Sequence, residues 1–232
     1  MRSFYFIVTL RKLMNITLIG SYHANKGICN HNELYKIIER INPEVIFEEK
    51  PSSFHDVYYK DKSKSNLESD AINQYLENNT VIQIPVDNEI IPPDTFFNKS
   101  KYMYDQIEKR SRIYRNLIDT NAFIISQSGF RYLNSIECLN YYIALENEIE
   151  ETLKFIGNDD FYPIRKSWLD WVERRDNVMM STIYNYCKEN KFNTGLFIVG
   201  TAHRKSIIEK IPVYNNEIKI NWNYSDYKNI IF

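Results

Sequence analysis

Two histidines in this chain follow the same short device. Ile16-Thr17-Leu18-Ile19 is an apolar run closed by Gly20, and Ser21-Tyr22-His23 follow. Leu196-Phe197-Ile198-Val199 is closed by Gly200, and Thr201-Ala202-His203 follow. Each run reads as a buried strand. Each glycine permits a tight turn and a close approach of a ligand. Each histidine then stands just past the carboxyl end of a strand, which is the edge where open α/β sheets bind ligands. One such histidine could simply satisfy a turn or cap a helix. Two of them, at opposite ends of the chain, suggest paired chemistry.

Glu48 adds a carboxylate. It closes the run Val45-Ile46-Phe47, and a parallel strand there brings Glu48 to the same edge. His23, Glu48 and His203 could hold a divalent metal such as Mn, Co, Fe or Zn, with open positions for water or substrate. The ion would lower the pKa of its bound water and polarise a carbonyl. Without metal, the histidines could act as general base and acid, with Glu48 orienting one of them. Asp87, after the run Val81 to Val86, is a further carboxylate for the same edge.

Arg175 is the cation of the set. On a helix from Ile164 to Glu189, stepping about 100° per residue places Trp168, Trp171, Val172, Met179, Thr182 and Tyr186 close to it. Arg175 thus falls in the apolar stripe, with Arg174 and Asp176 on its shoulders. A guanidinium aimed inward needs an oxyanion partner. That partner is either a ligand group or a structural carboxylate such as Glu48 or Asp87.

The elements that must carry these groups follow in order. Asn30 and Glu33 suit a helix start, Leu34, Ile37, Ile38 and Ile41 keep helical spacing, and Asn42-Pro43 stops the helix. Strand, helix, strand within about 30 residues is a βαβ unit. Residues 51–66 read as loop, Glu68 to Asn78 as a short helix, and Val81 to Val86 as a third strand. Three long helical segments, Lys101 to Ile125, Arg131 to Phe155 and Ile164 to Glu189, separate it from the His203 strand. Ile218 to Trp222 reads as a last strand. The expected fold is α/β: a small, mostly parallel sheet with a long all-helical insertion capping the ligand edge. It is one domain over 1–232, with a core of 15–98 and 191–232 and the insertion over 99–190.

The totals narrow the function. The 232 residues carry a net charge of −1 with no basic stripe, which disfavours nucleic acid as partner. The expected partner is a small molecule or peptide, with no membrane involved. Cys29, Cys138 and Cys187 have no metal-site spacing and their odd number disfavours a disulfide framework, so a cytoplasmic setting fits. Phe4 to Leu10 is apolar but too short to span a bilayer. Residues 1–13 read as an edge strand or as an extension upstream of Met14, the second being preferred. Ser21 lacks the glycines of a nucleophile elbow. Cys29 has no nucleophile signature and reads as a small buried residue.

With these residues quoted, the chain resembles the TraB/Tiki superfamily, which includes GumN-like, ChaN-like and erythromycin-esterase-like proteins. Gly20-Ser21-Tyr22-His23 is similar to its first GxxH motif and Gly200-Thr201-Ala202-His203 to its second. Glu48 in Val45-Ile46-Phe47-Glu48-Glu49 is similar to its strand-end glutamate. Arg175-Asp176-Asn177-Val178-Met179 is similar to its Arg-Asp-x-x-Met helix signature. Asp87 matches the aspartate many members carry after strand three, but Asn88 stands where the usual arginine would be. The resemblance implies an α/β core with a helical insertion and a pocket of His23, Glu48, Arg175 and His203. For function it implies several things: metal-dependent peptidase activity in Tiki-like members, lactone hydrolysis with a histidine base in erythromycin-esterase-like ones, haem binding in ChaN-like ones. TraB-like members shut down peptide pheromones. The expectation is a hydrolase of an amide or ester bond; the alternative is a non-catalytic protein that binds a peptide, haem or small acid in the same pocket.

Overall fold

A computed structural model describes residues 13–224. The expectation about residues 1–13 falls, Leu13 apart, outside the described residues. Among the described residues five strands form one parallel sheet: β1 (Met14–Ser21), β2 (Val45–Glu48), β3 (Ile82–Pro85), β4 (Thr194–Gly200) and β5 (Ile220–Asn223). Their order is β3-β2-β4-β1-β5. The α/β fold read from the sequence is therefore present, and the described sheet is wholly parallel.

The last long crossover decides the placement of the site. β4 inserts between β2 and β1, so the two GxxH turns become neighbours. Ser21 pairs in register with Gly200, and Gly20 with Val199. The inner strands β1, β2 and β4 are buried on both faces, as a parallel sheet requires, while the edge strands β3 and β5 are partly exposed. Val45, Phe47, Phe197 and Val199 face α7 (Phe161–Glu189) and α8 (Arg204–Tyr214). Ile46, Leu196 and Ile198 face the layer of α1 (His31–Ile41) and α3 (Leu67–Leu76).

Local signals explain most boundaries. The Asn30 side chain accepts from the Glu33 N–H, and Asn42 ends α1 in the left-handed conformation. The stretch 51–66, expected as loop, contains a short 3-10 turn and α2 (His55–Tyr59). The expected helix from Lys101 to Ile125 is two: α4 (Asp94–Arg110) and α5 (Arg112–Leu133). Ser111 divides them, because its extended backbone lets the hydroxyl cap Tyr114 N–H. Gly129, at φ +50°, kinks α5 near its end. With α6 (Ile136–Ile156) and α7, the helical block contains its own small core of Met103, Ile107, Ile149, Leu153 and Phe161. It is pinned to the sheet edge through Asn134, whose amide bonds both the N–H and the C=O of Gly20.

Candidate active site

Side-chain alternation along β2 distributes the two glutamates that end it. Phe47 faces α7, so Glu48 turns to the opposite layer with Ile46. There Glu48 accepts from Tyr59 Oη, from Gln83 Nε2 at 3.2 Å and from Lys50 Nζ at 3.4 Å. Glu49 resumes the α7 side. Its Oε1 accepts from Arg175 Nη2 at 2.5 Å and lies 3.3 Å from His203 Nε2. Its Oε2 accepts from the Gly200 N–H at 2.5 Å and lies 3.6 Å from His23 Nε2. The expected grouping is thus corrected by one position: Glu49, not Glu48, meets both histidines and Arg175.

His203 is buried and held from both sides. Nδ1 lies 2.6 Å from Asp176. Burial pulls its pKa down, but hydrogen bonds to Asp176 and Glu49 outweigh this and raise it to about 9. A raised pKa favours the imidazolium, which donates through Nδ1 to Asp176, while Nε2 lies 3.3 Å from both Glu49 Oε1 and Arg175 Nη1. Glu49 responds in the opposite sense: burial would raise its pKa, yet the hydrogen bond and charge of His203, with His23 and Arg175, hold it below the usual carboxylate range.

Arg175 has the structural pairing weighed from the sequence. Nε and Nη2 grip Asp87 at 3.0 and 2.7 Å, and Nη2 also reaches Glu49. The stripe on α7 is rotated from the expected one. Asp176, Met179, Met180, Ile183, Tyr184 and Cys187 are buried on it, while Arg175 is partly buried. Asp176 is the more buried of the pair because it serves His203.

His23 differs from all these. Its side chain is 48% exposed. Its backbone stands at φ +63°, which costs on the order of 1 kcal/mol for a residue with a Cβ. Glu68, in the first turn of α3, holds it there. Glu68 Oε1 accepts from the His23 backbone N–H at 3.2 Å, lies 3.0 Å from His23 Nδ1 and accepts from the Ser21 hydroxyl. Burial lowers the His23 pKa, but the Glu68 hydrogen bond and the Glu68 and Glu49 charges raise it overall. The imidazole lies against Gly200, where an added Cβ would come 2.5 Å from Nε2. Gly20 has a different duty: a Cβ there would crowd Thr201 Oγ1 at 3.0 Å. Cys29 is buried, and burial and the Glu68 charge push its thiol up to about 12, so it is no nucleophile.

A comparison with protein-family models, curated proteins and solved structures gives no match.

The geometry itself bears on the expected metal. Glu48 lines a small cavity with His23 but is bonded to Tyr59, Gln83 and Lys50 and to neither histidine, so His23, Glu48 and His203 do not form one ligand set. The set that is assembled, His23, Glu49 and His203, has a guanidinium bonded into it, and His203 already uses both nitrogens. This donor set does not fit a divalent ion. Among the described residues no group of three or more His, Cys, Asp or Glu is arranged to hold one. What the cluster offers is one half-exposed imidazole oriented by a buried carboxylate, next to a rigid, charged support. Glu68 carries no signal in the sequence that marks it as part of the site. It reads there as an ordinary acidic residue in a helix's first turn, and nothing in its spacing links it to His23.

Proposed function

We propose that the chain is a hydrolase of an ester or amide bond, with His23 as the general base and Glu68 as the residue that orients it. The observation that carries this is the Glu68–His23 pair: Nδ1 is engaged at 3.0 Å while the ring stays open to solvent. A base must keep one nitrogen free for the proton it takes, and a carboxylate on the other nitrogen fixes the tautomer and stabilises the imidazolium that forms. A cavity of about 10 Å³ lined by His23, Glu48, Glu49, Lys50, Asn66 and Glu68 has room for about one water. In the reaction, His23 Nε2 takes a proton from that water as its oxygen attacks the carbonyl, and returns it to the leaving group. Glu49, Arg175, Asp87, His203 and Asp176 form the support that fixes the floor of the site.

The resemblance to the TraB/Tiki superfamily supports this reading, and within it the metal-free, histidine-base type of chemistry suits the cluster better than the metal-dependent type. Three free, buried cysteines support a cytoplasmic setting. Among the described residues no helix is long and apolar enough to cross a membrane. The binding-protein reading has one observation in its favour, the complete internal pairing of Arg175 and His203, and it predicts ligand retention without turnover. Hydrolysis of phenyl acetate by the wild type and His23→Ala separates them. Turnover that vanishes in the variant supports the hydrolase; no turnover in the wild type with any small ester or amide leaves the binding reading.

A further inference from the structure

Asn66 stands at the start of α3 and caps it. Its Oδ1 accepts the Ser69 N–H at 2.8 Å, and its own backbone N–H donates to Ser69 Oγ at 2.9 Å. Its carbonyl accepts from Ser69 Oγ and from the Asp70 N–H. The backbone N–H, the carbonyl and the side-chain oxygen are thus all committed to the first turn of the helix. The cap also fixes the amide's orientation: with the oxygen on the Ser69 N–H, the nitrogen is turned away from it. Nδ2 has no partner among the described residues, and on this partly buried side chain it stays open to solvent.

Asn66 also stands where two spaces meet. The water-sized cavity beside His23 is lined by Asn66, Glu49 and Lys50. A groove of about 270 Å³ that runs past Arg175 is lined by the same three residues, and His23 is not among its walls. A carbonyl brought in along the groove therefore meets the water next to His23 at these shared residues. Each carboxylate at the junction already has a cation of its own: Glu48 has Lys50, Glu49 has Arg175 and Glu68 has His23. Charge that develops on a carbonyl oxygen there needs a donor that is fixed in advance and not yet used. Asn66 Nδ2 is such a donor.

We propose that Asn66 is a catalytic residue: its Nδ2–H donates to the oxyanion that forms when water adds to the carbonyl, and the Lys50 ammonium in the same walls adds positive charge. This rests on the hydrolase reading above. The water oxygen bonds to the carbonyl carbon, the π pair moves onto the carbonyl oxygen, and His23 Nε2 takes the water's proton. The C=O then re-forms, the bond to the leaving group breaks with its electron pair, and His23 returns the proton to that group. Asn66 donates to the oxygen throughout and exchanges no proton.

Asn66→Ser tests this, because serine is an equally good cap but lacks the amide N–H. Asn66→Asp keeps the shape and the cap and lacks the same donor. With phenyl acetate, kcat should fall about 10²–10³-fold in Asn66→Ser, the scale of losing one oxyanion donor. KM should stay within about twofold, as for an interaction made only in the transition state. The acid limb of the pH–rate profile and the urea midpoint of Asn66→Ser should not move. The second probe is monophenyl methylphosphonate, a tetrahedral anion, titrated by calorimetry. Its binding should weaken at least about tenfold in Asn66→Ser and Asn66→Asp. Full turnover in Asn66→Ser, or phosphonate binding that both variants leave unchanged, overturns the proposal and leaves the hydrolase reading standing. A shifted acid limb with unchanged phosphonate binding also overturns it, since Asn66 would then act only through Glu68 and His23. If the wild type hydrolyses no ester but binds the phosphonate through Asn66, the donor assignment stands and the hydrolase reading falls. If the wild type does not bind the phosphonate, the donor assignment falls.

Discussion

Oε1 of Glu68 stands 3.0 Å from Nδ1 of His23 and also accepts the backbone N–H of the same residue. One carboxylate oxygen therefore fixes both the ring and the left-handed backbone turn that presents it. Glu68→Gln should keep an acceptor for the backbone but lose the charge that raises the His23 pKa. We expect turnover to fall tenfold or more, as for a general base deprived of its partner. The acid limb of the pH–rate profile should move to lower pH. An unshifted limb would separate Glu68 from His23.

The pH dependence has two limbs with definite signs. His23 must be neutral to accept a proton, and its pKa is raised, so turnover should rise with pH through a value above the ordinary 6.5. His203 must stay protonated to hold Glu49, so turnover should fall again as pH passes about 9. Stability follows the same group. A histidine whose folded pKa is raised contributes its full stabilisation below the unfolded value and loses it as pH rises through the folded one. For His203 the loss should span roughly pH 6.5 to 9 and amount to on the order of 3 kcal/mol. Urea denaturation across this window measures it. Glu49, with its lowered pKa, contributes in the opposite direction: its stabilisation is present above about 4.5 and is lost as pH falls below.

Arg175 distinguishes support from substrate binding. It neutralises Asp87 and Glu49, both of which are buried. Arg175→Met should leave Asp87 without its ion pair and Glu49 with only the Gly200 N–H and the histidines, and cost about 3–5 kcal/mol, read in chemical denaturation. A residue that bound a substrate carboxylate would instead raise KM while leaving stability intact.

Gly200→Ala tests the seat of the His23 ring. The added methyl would come 2.5 Å from Nε2 and 3.1 Å from Glu49 Oε2. The half-exposed ring is the movable partner, so it should swing out. Turnover should drop tenfold or more as the base leaves its position, while the unfolding free energy changes by less than about 1 kcal/mol. Equal loss of both would mean that the backbone, not the ring, had yielded.

The succession of strands along the chain and much of the site can be read from types and spacing, but not the sheet order that sets β4 between β1 and β2, and the errors have physical causes. The two GxxH units are short buried strands closed by glycine, and that pattern is strong. Glu48 and Glu49 are adjacent and chemically identical, so only the face alternation of β2 separates them. That alternation was already present in Val45 and Phe47 facing one layer and Ile46 the other. The stripe on α7 was centred on Arg175 because tryptophans flank it, yet those rings pack against Phe96 and Phe97 of α4 while Met179, Met180 and Ile183 meet the sheet. Ser111 splits a periodic run that showed no glycine or proline. Glu68 was invisible because its link to His23 spans 45 residues and arises only when α3 packs beside the end of β1.

The most direct test is chemical rescue of His23→Ala. Turnover of phenyl acetate should fall by about 10²–10⁴ in this variant, and added imidazole should restore part of it, because the missing group is a positioned base. The thermal midpoint should stay close to that of the wild type, since the ring is half-exposed, and turnover of the wild type should be unaffected by a chelator. A His23→Ala protein that remains fully active, or one whose lost turnover returns with a divalent metal and not with imidazole, would contradict the assignment of His23 as the base.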